Sequence, residues 1–162
     1  MATWREAAVT DDAALALLTE YFSARAQEFP ADLGEYRTVF PDPAQFVPPR
    51  GVFLIVEGDD IAGEAADIGC GGIRELPVDG DARRFEVKHL WIQPHARKRG
   101  LGRALLAELE RRAREFGATE LVLDTNASLE AAGALYRSSG YAEVPPYNDN
   151  PNATHWFRKP LD

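Results

Sequence analysis

Between Pro94 and Arg103 the chain reads PHARKRGLGR, with four basic side chains around two glycines one residue apart. Gly100 and Gly102 lack a Cβ, so the chain can turn sharply here and bring main-chain N–H groups against a ligand. A helix-period run starts at about Gly100, and its first amides, 100–103, have no intrahelical acceptors. Free amides, a helix N-terminus and the charges of Arg97, Lys98, Arg99 and Arg103 make an anion-binding device suited to a pyrophosphate. The glycine pattern alone names no nucleotide class. It lacks the Lys-Ser/Thr of G-x-x-x-x-G-K-[ST] and the third glycine of G-x-G-x-x-G.

Other chemistry-bearing residues are sparse. Glu86 and Lys88 stand two apart on one strand face, where a salt bridge opposes the effect of burial on the carboxyl. His89 falls on the opposite face unless a bulge shifts the register. Cys70 has no His or Asp partner nearby in sequence and reads as a small buried residue. No His, Cys and carboxylate cluster has metal-ligand spacing, so no metal is expected.

The elements that position these groups follow from hydrophobic period and breakers. Trp4 to Val9 reads as a strand, and Thr10 or Asp11 as the cap of a helix from about Ala13. That helix carries Leu15, Leu17, Leu18 and Phe22 on one face, with room for one break before Phe29-Pro30. Residues 30–51 hold many prolines and aromatics; Leu33, Tyr36, Val39, Phe40 and Phe46 are expected to anchor a long loop. GVFLIVE at 51–57 and IGCGGIREL at 68–76 are paired strands. Gly69, Gly71 and Gly72 point either to close core packing or to ligand approach. A strand follows to Ile92, and a helix from Gly100 has Leu101, Leu105, Leu109, Ala113 and Phe116 in period, ending at Gly117. TELVLDT at 119–125 is a β-prone strand. Asn126 or Ser128 caps a helix with Leu129, Ala132, Leu135 and Tyr136 inward, ending at Gly140. Residues 141–144 and 153–158 form a last strand pair. The order predicts a mixed sheet covered by helices, an α/β (α+β) domain spanning 1–162.

Composition narrows the partners. The 162 residues, 45% hydrophobic and 27% charged, suit one globular domain. Residues 82–117 hold ten Lys/Arg against four Glu, while the whole chain has a net charge of -8. A positive patch on an acidic body predicts a small polyanion at one place, a cationic acceptor elsewhere and no nucleic acid. Arg111, Arg112 and Arg114 read as a solvated helix face. The N-terminus lacks a signal-peptide pattern and no run is long enough to span a membrane, so a soluble, cytoplasmic chain is expected, with one cysteine and no disulfide framework.

The string VKHLWIQPHARKRGLGRALL, followed by LDTNASLEAAGALYRSSGY, resembles the GCN5-related N-acetyltransferase (GNAT) family. The family's Arg/Gln-x-x-Gly-x-Gly/Ala signature is matched by Arg97-Lys98-Arg99-Gly100-Leu101-Gly102. Its helix with Leu-Tyr, closing in Gly plus an aromatic, is matched by Leu135-Tyr136 and Gly140-Tyr141. Lys98 stands where many members have glycine. The resemblance implies an acyl-CoA N-acyltransferase fold: a mixed, mostly antiparallel sheet of six to seven strands flanked by about four helices. It implies acetyl-CoA as cofactor, with amides of 97–102 on the pyrophosphate and the main chain of Leu90, Trp91 and Ile92, on a bulged and splayed strand, along the pantetheine. Asn126 stands where members often have an asparagine near that arm.

Acetyl transfer needs a neutral amine, a polarised carbonyl and a proton for the leaving thiolate. By resemblance Tyr136 is the acid, with a main-chain N–H of Leu90 or Trp91 on the carbonyl. Glu86 matches a glutamate that some members use as base; water, His89 and His155 are alternatives, and His95 is expected to decorate the phosphate turn. The expected reaction is direct transfer in a ternary complex to a primary amine, on a small molecule or a peptide, by a monomer or homodimer. A non-catalytic acyl-CoA-binding module is the alternative.

Overall fold

The computed structural model describes residues 3–162, and its centre is one seven-stranded sheet. The strands are β1 (Thr3–Glu6), β2 (Gly51–Asp59), β3 (Ala65–Glu75), β4 (Arg84–Ile92), β5 (Glu120–Thr125), β6 (Ala142–Val144) and β7 (His155–Pro160). Their spatial order is β1-β2-β3-β4-β5-β7-β6. Every neighbouring pair is antiparallel except β4 and β5, which run parallel. The helix α2 (Leu101–Glu115) supplies the crossover between these two.

Val52 to Val56 of β2 are all buried because helices cover both faces of the sheet. On one face α2 packs Leu105, Leu106, Leu109 and Ala113 against Leu54, Ile73, Phe85 and Leu121. Helix α3 (Glu130–Ser138) adds Tyr136 to the same side. On the other face α1 (Asp12–Glu28) lays Leu17, Leu18 and Phe22 over Phe46, Phe53, Ile55 and Trp91. Each fully buried Leu contributes about 1.5–3 kcal/mol of transfer energy, so the two cores hold the sheet from both sides.

Several expectations are corrected. The described residues contain three α-helices, not about four, because Pro30, Pro41, Pro43, Pro48 and Pro49 limit residues 30–50 to short 3-10 turns. Helix α1 runs unbroken to Glu28, and Asp11 sits at its N-cap without a side-chain cap bond. Leu15 faces solvent, and Ala14 takes its place in the core stripe. In the long loop Phe46 is buried, whereas Leu33, Val39 and Phe40 are exposed. The glycines of β3 serve packing. A Cβ on Gly69 would lie 2.6 Å from Trp91 O, and one on Gly72 would lie 2.9 Å from the Phe46 ring.

Candidate active site

Strands β4 and β5 pair over only three residues, ending at Glu86 opposite Val122, although both continue. Beyond that point β4 carries a bulge: Cys70 pairs with Trp91 and Gly72 with Lys88, so His89 and Leu90 together face Gly71. His89 has φ 59, which lets the chain absorb the extra residue. Gln93 N–H donates to Ile68 O and Leu76 N–H to Arg84 O. By the alternation of the ladder, Trp91 then directs its main-chain groups to β3, and Leu90 and Ile92 direct theirs to the open edge. Of the two expected carbonyl donors, Leu90 is the one on that edge.

The bulge also decides which side chains meet. Before it Glu86 and Lys88 face α1; after it Trp91 does, and His89 joins them against Tyr21, Phe22 and Phe46. Burial among these rings, with Lys88 and Arg74 nearby, lowers the His89 pKa to about 3. Its Nδ1 has no hydrogen-bond partner among the described residues. The imidazole is neutral at physiological pH and too weakly basic to take a proton from an ammonium.

At the end of β4 the chain forms the anion turn. Lys98 (φ 64) and Gly100 (φ 79) both have left-handed backbone, which explains why glycine suits either position. The main-chain amides of 98–103 have no protein acceptor among the described residues, and Gly100 caps α2 with no side chain in the way. These successive free N–H groups form a nest at a helix N-terminus, and they fit a pyrophosphate. The side chains divide the work differently from expectation. Arg97 stacks over Trp91 at 4.8 Å and donates from Nε to Ile92 O, 2.8 Å, so it braces the turn. Arg103 donates to Ser138 Oγ and Ser139 Oγ, tying α2 to α3. Lys98 and Arg99 remain exposed. His95 bonds Asp59 O through Nε2 and so links the turn to the end of β2.

Through the splay the slot opens into a cavity of about 510 Å³ on the α1 face. Leu90, Asn126 and Tyr136 line it, as do Arg74, Lys88 and His89. Burial raises the Tyr136 phenol well above its ordinary value, so it stays a donor across the working pH range. Glu86 lies beneath the cavity floor, 1% exposed. Its Oε1 accepts from Arg74 (2.8 and 3.0 Å), with Lys88 Nζ at 3.9 Å, and its Oε2 accepts from Tyr147, 2.6 Å. Both oxygens are therefore occupied. Asn126 also has its groups engaged: its Oδ1 accepts from Ser128 N–H and its Nδ2 donates to Asn152 O. Neither Asn126 nor Ser128 is the N-cap of α3, which is Leu129. His155, the first residue of β7, shares a hydrogen bond with the preceding Thr154.

The profile of the acetyltransferase (GNAT) family matches residues 12–141. This chain belongs to the GNAT family. An N-acetyltransferase of Schizosaccharomyces pombe is 32% identical over 139 residues, 83% of this chain and 78% of that one. The IAA acetyltransferase of Azospirillum brasilense is 36% identical over 97 residues, 58% of this chain and 61% of that relative's length. A putative acyl-CoA N-acyltransferase structure from Klebsiella pneumoniae superposes with TM-score 0.74 at 28% identity, covering 100% and 99% of the two chains. A GNAT acetyltransferase of Elizabethkingia anophelis shares the fold at TM-score 0.62 and 16% identity, covering 99% and 98%. The sheet is thus that of an acyltransferase of this family.

Sequence reasoning for the GNAT chain missed the cavity's polar lining. Arg74, Asp124, Asn148 and Asn152 come from β3, β5 and the β6–β7 loop, and Tyr147 of the same loop lies behind them on Glu86. Asn152 exchanges two hydrogen bonds with the Arg37 main chain, 2.7 and 2.9 Å, closing the long loop against the β6–β7 loop. The run YNDNPN carried the only available signal, a dense set of turn-forming amides that resembles any polar loop.

Proposed function

We propose that this chain transfers an acetyl group from acetyl-CoA to a primary amine, directly and within one ternary complex. The observation that carries the reading is the continuity from the nest of free amides at 98–103, along the open β4 edge, to a cavity lined by the Tyr136 side chain. The Elizabethkingia anophelis protein of this fold was solved with acetyl-CoA bound, which supports the same donor here.

Acetyl-CoA supplies a thioester-activated acetyl group. In this reading the free amides of Lys98 to Arg103 hold the pyrophosphate, whereas the expected Arg97 N–H is spent on Pro94 O. The Leu90, Trp91 and Ile92 segment aligns the pantetheine, Leu90 and Ile92 through their edge-facing groups. Leu90 N–H polarises the carbonyl. The neutral amine attacks it, and Tyr136 Oη–H gives its proton to the departing sulfur. Asn126 shapes the cavity wall through its two loop bonds. Glu86 is a positioning residue, because freeing either oxygen to act as base would break its bond to Arg74 or Tyr147. Cys70 is no carrier of the acetyl group: burial raises its pKa, and its thiol lies within the α1-side core with its S–H toward His89 O. That supports direct transfer.

The test is thiol release from acetyl-CoA across an amine panel, alongside calorimetric CoA binding. Amine-dependent release is expected. Tight CoA binding without release for any amine would replace this reading with a non-catalytic acyl-CoA-binding module.

A further inference from the structure

Where β4 and β5 part company, the last paired residues are Glu86 and Val122, both directed to the α1 face. Adjacent strands in register direct their side chains to the same face with a period of two, so the next pair on that face is Lys88 and Asp124. A cation and an anion therefore flank the mouth of the splay, and both line the cavity.

Neither charge is neutralised locally. Glu86 is one carboxylate facing two cations: Arg74 holds it at 2.8 Å, and Lys88 Nζ stands off at 3.9 Å. Arg74 also donates to Gln45. The Lys88 ammonium has no hydrogen-bond acceptor among the described residues, so this cluster carries a surplus positive charge at the cavity floor. Opposite it, Asp124 Oδ2 accepts from Asn148 Nδ2, a neutral amide, at 2.8 Å. No salt bridge involves Asp124 among the described residues. Above the charges stand aromatic rings of α1 and the long loop, Tyr21, Phe22, Phe40 and Phe46.

From this arrangement we infer that the acceptor is a zwitterion: a free amino acid with a large apolar side chain. Its carboxylate binds Lys88 and Arg74, its ammonium faces Asp124, and its side chain packs on the rings. The inference rests on the acetyltransferase reading above and narrows its acceptor. It also reverses the expectation, drawn from the acidic body, that the acceptor is simply cationic, because the cavity's unneutralised floor charge is positive. A cavity of about 510 Å³ suits a small molecule. In the reaction the nitrogen releases two protons to solvent, one from the ammonium before attack and one as the tetrahedral adduct collapses to the amide. The C–N bond forms, the C–S bond breaks, and Tyr136 protonates the sulfur and is reprotonated by solvent. The products are the N-acetyl amino acid, free thiol and one net proton.

The experiment compares kcat/KM for L-phenylalanine, L-phenylalanine amide and phenethylamine, which share a ring and differ in the carboxylate. The wild-type chain is expected to prefer phenylalanine by tenfold or more, on the order of one charge-assisted hydrogen bond. In Lys88→Met that preference should collapse toward unity, and Lys88→Arg should restore most of it. Acetyl-CoA affinity, measured in each variant, reports that the fold and the cofactor site persist. Turnover of phenethylamine or the amide as fast as phenylalanine overturns the zwitterion inference and leaves the acetyltransferase reading standing. An unchanged preference ratio in Lys88→Met overturns it as well. No release with any amine overturns both.

Discussion

Replacing His89 with asparagine separates one buried titration from every other pH effect on stability. Asparagine tolerates the left-handed backbone that φ 59 imposes, and it carries no proton in the range of interest. In the native chain His89 is held neutral, with a pKa near 3 against 6.5 for the free side chain, by burial first and then by Lys88 and Arg74. The groups packed on it from α1 and the long loop, Tyr21, Phe22 and Phe46, offer no carboxylate to offset these cations. Between those two values the unfolded chain binds one proton more than the folded chain, so stability rises with pH there. The contribution is complete above about 6.5 and is lost progressively as pH falls toward 3. Going from pH 8 to pH 5 should cost about 2 kcal/mol at this one site, because pH 5 lies 1.5 below the unfolded value of 6.5. Urea unfolding of wild type and His89→Asn at both pH values gives the difference of differences. Asparagine lowers stability at both pH values by losing ring contacts, so only the pH-dependent part counts. Equal losses from pH 8 to 5 in the two proteins would refute the claim that this imidazole is held neutral.

Three further outcomes are expected. Gly102→Asp should weaken acetyl-CoA binding tenfold or more by calorimetry, while Gly102→Ala leaves it near wild type. A Cβ there meets only Leu135 at 3.5 Å, so the loss would come from charge against the pyrophosphate. Tyr136→Phe should lower kcat about a hundredfold with little change in acetyl-CoA affinity, as removal of a general acid does; unchanged turnover would make Tyr136 a packing residue. Gly69→Ala should destabilise the fold by about 1–3 kcal/mol in urea unfolding, because its Cβ would press on Trp91 O at 2.6 Å. Unaltered stability would show that β3 and β4 can shift apart.

What was legible in the sequence was local. The turn at 97–102 presents main-chain amides and a left-handed glycine, which depend on the order of a few residues, so its motif and its place before α2 could be read directly. The strands, the face of α2 and the helix stop at Gly117 were equally local, set by period and by breakers. Membership of the family followed from the same stretch.

The tertiary structure decided the rest, because the cavity and the layer beneath its floor are made of residues far apart in the chain. Tyr147 reaches Glu86 across 61 positions, and Asn152 reaches Arg37 across 115. Neither pairing leaves a period or a spacing to detect. The faces of β4 past Lys88 depend on one extra residue in the ladder, and nothing in RFEVKHLWI marks where it goes. That bulge moved His89 onto the α1 face, where burial keeps it neutral. The end of the β4–β5 ladder at Glu86 brought Lys88 and Asp124 to opposite sides of one opening. Net charge, an average over the whole surface, favoured a cationic acceptor; the few charges that line the cavity favour a zwitterion. A summed charge does not record which side chains share a pocket, and the fold alone makes that selection.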